Sequence, residues 1–164
     1  MEHYLIYVST ANHLMSESEL MNILEESRRW NLDHDLTGML IYIQGLFIQT
    51  GPLQLQQQIT GRFMQIIEGS TENVEEVFSM IQKDDRHHNL IVLESSSQLA
   101  RNFESWQMGF RALQLNESEF DDTYFNLDDS FVKSRQEESS NRPLHFLKSF
   151  YQRGKSQSTV FFDK

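Results

Sequence analysis

The stretch Gly61-Arg62-Phe63-Met64-Gln65-Ile66-Ile67-Glu68-Gly69 restricts the fold more than any other part of the chain. It reads as a strand that carries one glutamine between bulky apolar residues and stops at an acidic residue and a glycine. Alternation puts Phe63, Gln65 and Ile67 on one face, and Arg62, Met64 and Ile66 on the other. A glutamine beside Phe and Ile on a strand face needs hydrogen-bond partners, because an unpaired buried amide costs about 1–3 kcal/mol. Glutamine offers both a donor and an acceptor, and it exchanges them by rotating. Taken alone, the stretch also fits a half-exposed polar residue on an edge strand.

The neighbouring segments place this strand in a layered fold. Residues 3–9, with Tyr4-Leu5-Ile6-Tyr7-Val8, predict a buried strand. Ser16 and Glu19 have capping-box spacing, and a helix follows to about residue 30 with Leu20, Ile23 and Leu24 as its apolar stripe. Ser27 and Asn31 continue that stripe, so the inward face turns polar in its last turn. Either these two meet a polar ligand, or they cap and terminate the helix. Leu36-Thr37-Gly38-Met39-Leu40-Ile41-Tyr42-Ile43 predicts a second strand.

Between Gln44 and Thr60 lie a Gly51-Pro52 turn and the glutamines Gln54, Gln56, Gln57 and Gln58. Gly45-Leu46-Phe47-Ile48-Gln49 and Gly61-Arg62-Phe63-Met64-Gln65 share the pattern Gly-x-Phe-x-Gln, which fits a local duplication or an insertion in a hairpin. A second helix from Glu72 to about Lys83 carries Val74, Val77, Phe78 and Ile81 on one stripe, and the polar cluster Asp84-Asp85-Arg86-His87-His88-Asn89 follows it. Leu90-Ile91-Val92-Leu93 predicts a fourth strand, and Asn102 to about Leu115 a fifth. The order β-α-β-β-α-β-β predicts an α+β, ferredoxin-like layer with both helices on one face of an antiparallel-rich sheet. The cleft between the helices is the natural ligand site.

A chain of 164 residues fits one domain with an appendage. Residues 1–115 form that domain, with an unusual insertion at about 44–60, and residues 116–164 form a C-terminal helical extension. Residues 116–141 are acidic and serine-rich; Pro143 then starts a helical run bearing Leu144, Phe146, Leu147, Phe150 and Tyr151, with a frayed end. With no cysteine, disulfides and thiolate metal sites are excluded, and a reducing cytoplasm is the expected setting. No run has the length of a membrane span, and the N-terminus lacks the features of a signal peptide. A net charge of −10 argues against binding a phosphate backbone, which favours a protein or small-molecule partner. His87 and His88 are adjacent on extended chain and point opposite ways, so no metal site is expected.

Six pieces of this sequence, in order over residues 3–113, resemble the BLUF family of blue-light sensors that use FAD. They are Leu5-Ile6-Tyr7-Val8-Ser9, Glu26-Ser27-Arg28-Arg29-Trp30-Asn31, Leu36-Thr37-Gly38-Met39-Leu40, Gly61 to Gly69 as written above, Asp84-Asp85-Arg86-His87, and Trp106-Gln107-Met108. The resemblance implies FAD (with FMN as the alternative), its ring between the two helices and its phosphates toward solvent. It implies that Tyr7 donates an electron and a proton to the excited flavin, and that Gln65 links Tyr7 to the flavin's N5 and O4 edge. Asn31 would hold the ring's carbonyl edge, with Ser27 and Trp30 beside it. Ile23 and Ile81 would pack on the two ring faces, with Arg86 and His87 near the ribityl chain or ring edge. Trp106 and Met108 match the family's switching pair on the fifth strand.

The connection before the third strand is longer than the family's. Gln65 is therefore the expected active glutamine after an insertion, with Gln49 as the competing assignment. Gln65 is favoured because Ile66-Ile67-Glu68-Gly69 and the following helix abut it, whereas Thr50-Gly51-Pro52 would end a strand just after Gln49. The implied function is a photoreceptor without enzymatic activity, signalling to a separate effector or regulator protein and forming a homo-oligomer. Two rivals are a ferredoxin-like interaction module that has lost light sensing, and a small hydrolase using Asp84, His87 and Glu68.

Overall fold

A computed structural model describes residues 1–50, 55–111 and 124–126. Its elements are β1 (Glu2–Ala11), α1 (Glu17–Asp33), β2 (Thr37–Thr50), β3 (Leu55–Gly69), α2 (Thr71–Gln82), β4 (His87–Gln98), β5 (Trp106–Arg111) and β6 (Tyr124–Asn126). They form one sheet in the order β4-β1-β3-β2-β5-β6. The first four strands pair antiparallel, and β5 and β6 add parallel pairings beyond β2. This is the expected α+β ferredoxin-like arrangement.

Alternation along the strands sorts the sheet into two faces. Leu5, Tyr7, Leu40, Phe63, Ile67, Trp106 and Met108 face the helices, where they meet Leu20, Ile23 and Leu24 of α1 and Val74 and Val77 of α2. Tyr4, Ile6, Met39, Ile41, Ile43, Met64 and Ile66 form the opposite face and pack with Phe103. The sheet is thus apolar on both sides, and its polar helix-side residues stand out against that background.

Helix α1 starts on the expected capping box: the Ser16 hydroxyl accepts from the Glu19 amide at 3.2 Å, and the Glu19 carboxylate accepts from the Ser16 amide at 2.8 Å. The helix runs past the expected end near residue 30 and is capped by His34. Ser27 and Asn31 therefore lie within the helix and do not terminate it. Helix α2 is capped by the Ser70 side chain, which accepts from the Asn73 amide at 3.2 Å.

Within the segment expected as an insertion, residues 44–50 and 55–60 lengthen β2 and β3 as a continuous ladder. The β2–β3 ladder runs without a break from Thr37↔Glu68 to Thr50↔Leu55. Gln49 pairs with Gln56 near the far end of this ladder, and Gln65 with Leu40 near its base. Strand β4 is longer than expected and carries two irregularities in its pairing with β1. Tyr124–Asn126, inside the expected C-terminal extension, joins the sheet as β6. The helical run from Pro143 lies outside the described residues.

Gly38 marks the tightest point of the hairpin. Its φ is +142°, and a Cβ there would stand 2.0 Å from the Ile66 carbonyl oxygen. Neither the backbone conformation nor the space admits a side chain. Gly38→Ala is therefore expected to destabilise the fold by about 3 kcal/mol or more. Urea titration followed by circular dichroism checks this; a midpoint like that of the unsubstituted chain would contradict it.

Candidate functional site

Between α1 and α2 the sheet is left uncovered, and a cleft of about 400 Å³, part of it open to solvent, fills the gap. Its lining comes from the helices (Ile23, Ser27, Ile81), the sheet (Tyr7, Leu40, Phe63, Gln65) and the start of the α2–β4 segment (Asp84, Arg86, His87). A concave site with apolar flanks and a few convergent polar groups is the usual form of a small-molecule site. Seven of the residues singled out from sequence meet here: Tyr7, Ile23, Ser27, Gln65, Ile81, Arg86 and His87.

On the floor of the cleft, Tyr7 and Gln65 are direct cross-strand partners of β1 and β3. The Tyr7 hydroxyl donates to Gln65 Oε1 at 2.6 Å, with the two residues 3% and 5% exposed. Burial, and secondarily the charge of Asp84, push the Tyr7 phenol well above its ordinary range, so it stays neutral and keeps its proton. Because Oε1 is taken, the two Nε2 donors of Gln65 are left to whatever fills the cleft. Isoleucines from the two helices, Ile23 and Ile81, line its flanks.

The mouth is held by charge. Arg86 bonds Asp84 at 2.6 Å and Glu26 of α1 at 3.0 Å, so one guanidinium links the α2–β4 segment to the facing helix. Burial alone would raise the Asp84 carboxyl, but the hydrogen bonds and charge of Arg86 outweigh it and hold the group below the usual carboxylate range. The same hydrogen bonds to Asp84 hold Arg86 above its ordinary value. His87 is fixed between the Ser9 hydroxyl and the Ile81 carbonyl, each at 2.7 Å. The carbonyl can only accept, so neutral His87 donates from Nε2 to Ile81 and accepts the Ser9 hydroxyl's hydrogen bond at Nδ1.

Four of the sequence-predicted residues stand outside the lining. Asn31 is buried on α1, in the helix's last turn. Trp30 stacks on His34 at 3.9 Å, with its indole N–H buried and unpartnered among the described residues. Trp106 and Met108 are buried on the helix side of β5, in the cluster that contains Leu40 and Phe63. A row of paired residues joins Tyr7, Gln65, Leu40 and Met108 across four strands.

Sequence reading missed Leu40 and Phe63 as lining residues, and named Asp84 only within a family motif and the rival hydrolase reading. Phe63 was within reach, since it shares a strand face with Gln65; Asp84 is placed by its two-residue spacing from Arg86. The hydrolase constellation does not assemble, because Glu68 lies on the opposite sheet face, away from Asp84 and His87. Among the described residues no group of three or more acidic or histidine side chains could hold a metal, and no helix is long and apolar enough to cross a membrane.

A family model described as sensors of blue-light using FAD, BLUF, matches residues 3–50 and 50–109. The chain belongs to the BLUF family. The two matched pieces meet at residue 50, within the lengthened hairpin. Photoactivated adenylate cyclase subunit beta of Euglena longa is 28% identical over 89 residues, covering 54% of this chain and 8% of that protein. The chain thus corresponds to a small part of this relative. BlrB, a BLUF protein solved in its dark state, has the same fold, with TM-score 0.57 and 20% identity over 94% of this chain and 96% of that one. Klebsiella pneumoniae BlrP1 with FMN and cyclic diGMP is likewise similar in fold, with TM-score 0.61 and 22% identity over 94% of this chain and 35% of that one.

The Arg86 clamp has a consequence for acid stability. With the Asp84 carboxyl held down in the folded state, its contribution is present above the unfolded carboxylate value of about 3.9 and is lost as pH falls through the folded value. Asp84→Asn should therefore lose stability at neutral pH and show a shallower acid decline than the unsubstituted chain. Thermal melts across the acid range check this, and equal acid slopes would contradict it.

Proposed function

We propose that this BLUF protein is a blue-light photoreceptor that binds FAD in the cleft between α1 and α2 and signals to a separate partner protein. The observation that carries the reading is the Tyr7–Gln65 hydrogen bond on the cleft floor, which leaves the Gln65 amide donors toward the ligand. The residues present fit a flavin. Gln65 offers donors to a ring edge rich in acceptors, Ile23 and Ile81 offer apolar flanks, and Asn31 and Ser27 add polar groups on α1. Arg86 and His87 stand toward the mouth. FAD is the cofactor preferred, as in the description of the family.

When bound, the flavin would absorb blue light and, once excited, accept an electron and a proton. Tyr7 is the donor of both: a buried neutral phenol can release its proton only along its hydrogen bond, and that bond ends on Gln65. Gln65 accepts at Oε1 and donates at Nε2, so rotation of its amide exchanges the group presented to Tyr7. The altered bond then changes contacts along the row through Leu40 to Met108, and with Trp106 shifts β5 between two arrangements. Residues 1–115 serve as the sensor and 116–164, which contribute β6 to its sheet, as an extension available to the partner. The chain acts as a homo-oligomer in the cytoplasm, has no enzymatic activity of its own, and has no direct role in nucleic-acid binding.

Three substitutions test these roles by flavin absorbance in the FAD-loaded chain. Tyr7→Phe should bind flavin and lose the reversible light-induced red shift; a normal shift there would remove Tyr7 from the mechanism. Gln65→Leu should abolish the shift while Gln49→Leu retains it. The reverse pattern would move the active glutamine to the far end of the hairpin.

A further inference from the structure

Glu68 is fully buried, with no exposure, three residues beyond Gln65 on β3 and on the opposite face of the sheet. Among the described residues no cationic side chain pairs with it. Its carboxylate instead accepts hydrogen bonds from the connection between β4 and β5: the Asn102 amide at 3.0 Å, the Phe103 amide at 3.1 Å and Asn102 Nδ2 at 2.7 Å. Gln98 Nε2 at 3.0 Å and Thr37 Oγ1 at 3.3 Å complete the set. A buried carboxylate is tolerated only when its oxygens are hydrogen-bonded, and charge-assisted bonds of this kind are stronger than neutral ones.

What these donors have in common is their place in the chain. Asn102 and Phe103 lie just before Trp106, the first residue of β5. Ser105 in the same connection accepts from the Gly38 amide at 3.4 Å, and Gly38 pairs with Trp106. Phe103 itself packs into the face that Met64 and Ile66 of β3 help to form. The entrance to β5 is therefore tied to β3 through one carboxylate, although β2 lies between these strands in the sheet. Trp106, meanwhile, is buried with its indole N–H unpartnered among the described residues, a placement that favours leaving unless the backbone is held.

We propose that Glu68 is a positioning residue that fixes the entrance of β5, and with it Trp106, to the strand carrying Gln65, so that the light-driven change passed from Gln65 toward β5 displaces Trp106 as well as Met108. Glu68 has no contact with the cleft and does not act on the flavin. The proposal rests on the photoreceptor reading.

The test is fluorine NMR of the FAD-loaded full chain labelled with 5-fluorotryptophan. The sequence holds two tryptophans, Trp30 and Trp106, so the spectrum has two signals, assigned with Trp106→Phe. In the unsubstituted chain, blue light should displace the Trp106 signal. In Glu68→Gln the flavin red shift should persist while the light-induced displacement of Trp106 is lost. A merely structural anchor would move the dark signal and leave the light-minus-dark displacement intact, and that result overturns the proposal. Should Glu68→Gln fail to fold, Asn102→Ala removes the 2.7 Å bond and keeps the two backbone bonds; an undiminished displacement in that variant overturns the proposal equally. An unsubstituted chain without a flavin shift would instead sink the photoreceptor reading itself.

Discussion

The hydrogen bond from Tyr7 to Gln65 depends on the register of two buried strands, and the rest of the site depends on that bond. Tyr7 and Gln65 face the same side because β1 and β3 pair them directly. A slip of one residue in either strand would turn one of them to the other face and bury an unpaired polar group there. The flanking apolar residues on both faces, Leu5 and Ile67 on one and Ile6 and Ile66 on the other, make such a slip costly. A neutral phenol and a primary amide, held dry and close, form a pair whose donor and acceptor can be exchanged without moving the backbone.

Around this pair the two helices do different work. Helix α1 covers β2, β3 and β5 and brings a polar last turn, whereas α2 covers β1 and β3 and leads into the charged segment at the mouth. Arg86 joins the two sides through Asp84 and Glu26. In a chain of net charge −10, one guanidinium held by two carboxylates braces the cleft mouth without making the surface basic.

Much of this was legible in the sequence because it rests on short-range patterns. The capping box, the helical stripes and the alternation of Phe63, Gln65 and Ile67 each need fewer than ten residues, and each appears in the structure as read. The lengthened hairpin was hidden because Gly61 and Gly51-Pro52 read as strand ends. Gly61 in fact lies within β3, where a Cβ would stand 2.3 Å from the Tyr42 hydroxyl, so the glycine makes room for a ring across the ladder. The Glu68 anchor was hidden for another reason. Its donors are 30 to 35 residues away in the chain, and one-residue motifs such as a strand-ending glutamate carry no sign of distant backbone amides. Strand β6 sits in an acidic, serine-rich context that masks three residues of strand.

The central claim is that the Tyr7–Gln65 pair works on a flavin held between the helices. The most direct measurement is the visible absorption spectrum of the purified chain, loaded with FAD, in the dark, after blue light, and during return to darkness. The account predicts a flavin spectrum that shifts slightly to the red in light and relaxes fully in the dark. A chain that takes up no flavin, or one whose bound flavin keeps an unchanged spectrum in light, would contradict it.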